Sequence, residues 1–236
     1  MTGGLSDGRN RTNGHLLLPY LAPYGAYVLI ASLAPPLPRA LDYLLRIGIT
    51  TGLLIMCRRH YQPLRGPNRI TRSIGLGVVA GVLGALLWSA LLLPFKAADA
   101  GEPITVAAFL LRLAAAVTIV PIAEELLCRG YILGVITQWQ EARRAGSKTA
   151  LADVLDRQSI HSIRPGAATA AAVLLSSLAF ALGHPPAQWL ASFSYGIVMA
   201  GLWILGRDLL TPITAHAVTN LVLYSYIFSS GAWGLW

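Results

Sequence analysis

The sequence predicts an all-α fold, a polytopic bundle of membrane-spanning helices, and two observations carry that expectation. Hydrophobic residues fill 55% of the 236 positions and charged residues only 12%, where an ordinary soluble domain carries roughly a quarter charged. The apolar residues are also gathered into runs near the ~20 residues that cross a bilayer as a helix, the form in which a single segment satisfies its own backbone groups. A mean hydropathy of +0.60, with 23 Gly and 14 Pro, agrees. A soluble monomer is not expected, and one integral membrane domain over residues 1–236 accounts for the length.

Residues 1–14 form a polar, Gly-rich tail. The first apolar run, His15–Ala34, carries Pro19 and Pro23 and is followed by no clear small-residue cleavage site, so it is expected to be a retained helix rather than a removed signal peptide. Further spans are expected at Leu41–Cys57, Ser73–Phe95, Thr105–Ile136, Gly166–Leu182, Ala187–Leu205 and Leu209–Phe228, which makes 7-8 membrane-spanning helices depending on whether Thr105–Ile136 divides. As one helix that run would be about 48 Å long against a ~30 Å hydrocarbon core, and Pro121 is expected to kink or break it. The one long polar connection, Thr137–Pro165, suits a short surface helix over the cytoplasmic mouth. Cys57 and Cys128 fall in or beside apolar runs with no CxxC or Cys/His cluster, so neither a disulfide framework nor a zinc ribbon is expected.

The formal charge of +8 would suggest nucleic acid in a soluble chain, but the distribution of cations assigns it to topology. Thirteen of the 18 Lys and Arg residues lie before the first span (Arg9, Arg11), after the second (Arg58 to Arg72), after the fourth (Arg143 to Arg164) and after the sixth (Arg207). The alternating segments hold only Arg39 and Lys96. By the positive-inside rule this predicts a protein of the cytoplasmic (inner) membrane with its N-terminus in the cytoplasm. The basic clusters have few interleaved aromatics and no nucleic-acid motif, so the expected partner of this charge is the lipid bilayer and not nucleic acid.

Ionisable groups inside spans cost at least ~2.5–3.5 kcal/mol each and mark function by default. They are concentrated in the C-terminal half. Glu124 and Glu125 are adjacent on a helix, and Arg129 follows Glu125 at the i, i+4 spacing of an ion pair, which leaves Glu124 without that partner. Phe180 and His184 share a helical face just before Pro185 and Pro186 end the helix, and His216 and Asn220 repeat the spacing further on. Three helices thus each offer polar groups able to point inward and hold one water. Asp42 and Arg46, at i, i+4 in the second span, form another structural pair, and Arg112 could face the cavity.

Glu124-Glu125-x-x-x-Arg129, Phe180-x-x-x-His184 and His216-x-x-x-Asn220 resemble the three ordered motifs of the CAAX prenyl endopeptidase and bacteriocin-processing (CPBP, ABI) intramembrane protease family, over a motif-bearing core of 105–228. That resemblance implies an all-α membrane bundle, peptide-bond hydrolysis near the membrane, and a membrane-associated peptide or protein substrate, prenylated in the best-known members. In this reading Glu124 is the general base for a water held between it and His184, His216 and Asn220 bind the developing oxyanion, Arg129 keeps Glu125 ionised, and Phe180 shapes the pocket.

Glu124, His184 and His216 also form the two-His, one-carboxylate set of a catalytic zinc site. The His-Glu-x-x-His string is absent and Asn220 is a poor zinc ligand, so glutamate catalysis with no cofactor is favoured, with Zn²⁺ as the alternative. No Gly-x-Ser-x-Gly surrounds Ser176, Ser177 or Ser194 and no paired helix aspartates occur, which argues against serine and aspartyl mechanisms. A proton-coupled transporter or a non-proteolytic scaffold are the competing functions. One tension remains at this level: if Gly166–Leu182 crosses outward from the cytoplasm, His184 reaches the far face while Glu124 and His216 stay nearer the cytoplasmic half.

Overall fold

The computed structural model describes residues 11–33, 37–92 and 104–233, and every regular element among them is helical. Residues 1–10 of the expected tail, Ala34, Phe95 and Lys96 lie outside the described residues. The first three helices are α1 (Asn13–Leu33), α2 (Arg39–Cys57) and α3 (Ile70–Leu92). The expected fourth span is α4 (Val106–Val117), α5 (Ile119–Glu125), a π-helical turn (Leu126–Ile132) and α6 (Leu133–Arg144). Then come α7 (Ala150–Arg157), α8 (Ala170–Leu182), α9 (Trp189–Gly206) and α10 (Leu210–Ser230).

Five helical stretches are long and apolar enough to cross a membrane: Asn13–Ser32, Arg39–His60, Ile70–Leu92, Val106–Arg144 and Pro186–Gly206. Two of the expected spans differ from these. Helix α10 is long enough at 21 residues but less apolar, because it carries His216, Asn220 and several hydroxyls. Helix α8 has 13 residues, about 20 Å at 1.5 Å per residue, and so ends inside a ~30 Å core. It begins at Ala170, not Gly166, and stops at the Gly183-His184-Pro185 turn.

Local sequence explains the irregular backbone. Pro23 cannot donate to the carbonyl of Pro19 four residues earlier, and the Tyr61 hydroxyl takes that carbonyl instead at 3.1 Å, so α1 stays helical through both prolines. The long fourth run breaks at Thr118 (φ −125°, ψ −83°). This is three residues ahead of Pro121, which falls in the first turn of α5, where a missing N–H costs nothing. The π-helical turn follows directly, and no periodicity in the sequence announces it.

The basic segments gather at one end of the bundle. Leu209 and Leu210 donate their backbone N–H groups to the Leu64 carbonyl, Asn68 donates to the Gly206 carbonyl at 2.6 Å, and Gln62 donates to the Ile160 carbonyl at 2.7 Å. Buried Asn13, at the start of α1, donates to Gln138 at 2.7 Å and to the Val154 carbonyl at 2.9 Å, and accepts from the Ile160 N–H at 2.6 Å. The connection 137–165, with α7 inside it, is thereby fastened under the bundle. Leu16, Tyr20, Leu126, Leu133, Leu209 and Ile213 pack into an apolar core just above it.

The closest helix pair is α3 with α10. Glycine makes it possible: a Cβ on Gly81 would stand 2.6 Å from the Ala215 carbonyl oxygen, and one on Gly77 would stand 2.7 Å from the Thr214 Cβ. Small residues four apart let two backbones approach where lipid supplies no hydrophobic drive between helices. Thr219 seals the contact by donating to the Gly81 carbonyl at 2.8 Å while accepting from the Tyr195 hydroxyl at 2.8 Å. Helix α10 is thus held in fixed register against α3 and α9.

Candidate active site

Glu124 and Glu125 close α5 and are both buried, at 6% and 0% exposure. Their surroundings differ. Glu125 Oε1 accepts from Arg129 at 3.1 Å and pairs with His216 Nδ1 at 3.0 Å. Arg129, 1% exposed, also donates to the Gly196 carbonyl at 3.0 Å and lies 4.9 Å from the Phe180 ring centre. Buried guanidinium and carboxylate are therefore paired and stacked, while Glu125 Oε2 and Arg129 Nε are buried without a hydrogen-bond partner.

Glu124 has no cation of its own. Its Oε2 is buried without a hydrogen-bond partner and stands 3.7 Å from His216 Nε2. The Tyr24 hydroxyl of α1 stands on the same cavity as Glu124. Gly183 gives that hydroxyl its place, since a Cβ there would stand 2.5 Å from it.

The imidazoles are oriented by their second nitrogens. His184 Nδ1 lies 2.9 Å from the Phe180 carbonyl. A carbonyl only accepts, so Nδ1 is the donor, and Nε2 of the neutral ring is free to accept. Since Arg129 holds Glu125 as an acceptor, His216 Nδ1 donates to it in turn, and Nε2 is the atom turned toward Glu124. The Phe180 ring, 3% exposed, packs 4.7 Å from His184 and 5.7 Å from His216, centre to centre. Trp88 of α3 adds a second wall at 5.4 Å from His184.

Tyr24, Trp88, Glu124, His184 and His216 line one cavity of about 590 Å³, with Tyr195 and Asn220 beside them and Tyr43, Arg46, Arg112 and Tyr224 toward the other end, while Glu125, Arg129 and Phe180 lie outside its lining. His184 lines the same cavity as Glu124 and His216, so the difference in depth that the sequence raises does not keep them apart. Asn220 differs from the expectation. Its side-chain N–H donates to the Ala116 carbonyl at 2.8 Å, capping the end of α4 beside the break at Thr118, so one of its two amide protons is engaged in structure.

The far end is cationic and aromatic. Arg46 holds Asp42 through two hydrogen bonds, as their spacing predicts, and stacks near Tyr27 and Tyr43. Arg112 faces the cavity, donating to the Tyr224 hydroxyl at 3.2 Å. Among the described residues no three His, Cys, Asp or Glu side chains are grouped to hold an ion. Both cysteines are free.

Sequence reasoning missed Tyr24, Trp88 and Tyr195. None stands in a motif, and Trp88 and Tyr195 carry no signal apart from being aromatic in an apolar run. Tyr24 follows Pro23, and a hydroxyl in a proline-bearing span is the only hint of it.

Residues 106–222 match the family model described as Rce1-like, type II CAAX prenyl endopeptidase. No curated protein and no solved structure matches the chain.

Proposed function

Because the chain belongs, through residues 106–222, to the Rce1-like family of type II CAAX prenyl endopeptidases, we propose that it hydrolyses a peptide bond of a membrane-associated polypeptide by a glutamate-activated water, without a bound metal. The family is one of intramembrane proteases. The substrate class we assign is a prenylated or C-terminally anchored membrane polypeptide.

The observation that supports this mechanism best is the pair of acceptors facing one cavity, the Glu124 carboxylate and His184 Nε2. A water donating one proton to each has both O–H bonds polarised and its lone pairs turned away from them, toward an incoming carbonyl carbon. Glu124 takes one proton as the C–O bond forms. Oxyanion stabilisation comes from His216 and Asn220. Arg129 fixes Glu125, Glu125 orients His216, and His216, when protonated, presents Nε2–H to the cavity, joined by the remaining amide proton of Asn220. One such donor in a dry site is worth about 2.7–4 kcal/mol of barrier. As the tetrahedral intermediate collapses, Glu124 returns its proton to the leaving amine nitrogen and the C–N bond breaks.

The two neighbouring carboxylates therefore do different work. Glu125 is a structural anion that orients an imidazole, whereas Glu124 cycles one proton.

The test compares terminal peptides of membrane proteins, by mass spectrometry, from cells expressing the wild type or Glu124→Gln at equal level. A defined set of new termini disappears in the variant and names the substrates. Unchanged termini across well-covered membrane proteins would refute the proteolytic reading. Cleavage by purified protein that survives exhaustive chelation supports the glutamate mechanism, and loss restored by Zn²⁺ would replace it with the metallo form.

A further inference from the structure

The cavity has a direction relative to the basic segments, and that direction constrains where substrate comes from. The start of α1, the segment after α2, the connection 137–165 and the α9–α10 turn are hydrogen-bonded together at one end. At that end the bundle is closed: the Leu16, Tyr20, Leu126, Leu133, Leu209 and Ile213 side chains fill the space between it and Glu124, every one of them less than a tenth exposed. A core packed to protein density admits no polypeptide.

Helices α1, α2, α3 and α9 contribute to the cavity from their other halves, and α10 lines it from His216 onward. Helices α1 and α10 leave the basic end and line it with their later turns (Val28, Ala31; Leu223, Ile227), while α2 and α9 return to the basic end and line it with their early turns (Tyr43; Tyr195). Along α10, His216 is about 9 Å of helix from Leu210, and Ile227 is about 26 Å from it. His216 thus stands near the basic end of a cleft whose lining continues along α10 to Ile227.

By the positive-inside rule the basic end is cytoplasmic. We infer that the active-site cavity admits its substrate from the non-cytoplasmic face of the membrane, so that the segment cleaved belongs to an exported or outward-anchored polypeptide. The inference rests on the proteolytic reading for its substrate and on cavity geometry for its direction. It selects among the proposed substrates: a segment presented on that face is the C-terminally anchored kind, and a lipidated end on the cytoplasmic surface would meet the packed floor.

The test places single cysteines in full-length protein with Cys57 replaced by Ser and buried Cys128 retained as background. Leu223→Cys and Ala31→Cys report the cavity, and Ala145→Cys reports the basic end. A charged, membrane-impermeant maleimide is added to intact cells and to lysed ones. Labelling of positions 223 and 31 in intact cells, at least tenfold above the background and with position 145 labelled only after lysis, is the expected result. The reverse pattern overturns the inference, and so does a cavity unlabelled on both sides. The labelling needs no proteolysis, so it stands or falls apart from the protease assignment. In the terminal-peptide comparison, Glu124-dependent cuts confined to cytoplasmic segments would overturn the inference while leaving the protease intact.

Discussion

Replacing Arg129 by Met should cost the fold about 3–5 kcal/mol, the range for stripping one partner from a buried ion pair. The guanidinium donates to the Glu125 carboxylate at 3.1 Å and to the Gly196 carbonyl at 3.0 Å, and it stacks 4.9 Å from the Phe180 ring centre. Near 4 Å and at an effective dielectric of about 20, the Coulomb attraction alone is roughly 4 kcal/mol. Most of the penalty is Glu125, left charged at 0% exposure with only His216 to answer it. Glu125→Gln/Arg129→Met together removes both charges and should cost less than either single change, with a coupling energy of at least ~2 kcal/mol. The assay is unfolding in mixed micelles by rising dodecyl sulfate fraction, followed by the fluorescence of the 6 tryptophans and analysed as a double-mutant cycle. An Arg129→Met protein within ~1 kcal/mol of wild type, or a double variant equal to the sum of the singles, would refute the argument.

Three further outcomes test other parts of the architecture. Gly81→Ala forces a methyl to within 2.6 Å of the Ala215 carbonyl oxygen and should cost about 1–3 kcal/mol in the same assay, with reduced cleavage because α10 carries His216 and Asn220. Gly75→Ala, with nothing within 4 Å, should be neutral or stabilising by up to ~1 kcal/mol, and a like loss at both glycines would discount the close approach. Tyr24→Phe removes a hydroxyl from the wall of the cavity that holds Glu124; if it donates to the carboxylate, a hydrogen bond to charge worth ~1.5–3 kcal/mol, kcat should fall tenfold or more with KM and stability held, and an unchanged kcat would remove Tyr24 from the site. Asn220→Ala should lower kcat by about 10²–10³ if its second amide proton meets the oxyanion, and a fall matched entirely by reduced stability would restrict Asn220 to a cap on α4.

The chemistry of this site is more legible in the sequence than its geometry. Charge inside an apolar run is costly wherever it falls, so Glu124, Glu125, Arg129, His184 and His216 stand out by composition alone, and helical spacing pairs Glu125 with Arg129. Depth in the membrane is not a property of composition. Residues 166–169 are apolar or small enough to extend a hydropathy run, yet the chain does not become helical until Ala170, after the Thr169 hydroxyl accepts from the Ala172 N–H. Those residues decide whether His184 lies beside Glu124 or beyond it. Pro121 announces a break in the long fourth run but not its place at Thr118, because a proline is accommodated in the first turn of the helix it starts. The π-helical turn and the glycine contact between α3 and α10 depend on the partner surface, which a single segment does not encode.

The N-terminal helices illustrate the same division. They carry none of the three motifs, yet the motif-bearing half does not enclose a cavity by itself. Helix α1 supplies Tyr24 to the wall of the cavity that holds Glu124, α2 supplies Tyr43 and Arg46 at the far end, and α3 supplies Trp88 against His184 and the glycines that seat α10. Hydrolysis inside a bilayer needs water and a peptide to reach carboxylates that hydrocarbon would exclude. Residues that react can be few and fixed in spacing, because bond-making sets their distances. The residues that admit water need only be polar enough to wet a wall and shaped to leave a volume, and many sequences do that equally well. The first three helices therefore contribute a necessary half of the site without a recognisable signature. Their exchange for the corresponding helices of another family member should preserve the Glu125–Arg129 pairing, which lies within the retained half, and alter which peptides are cut.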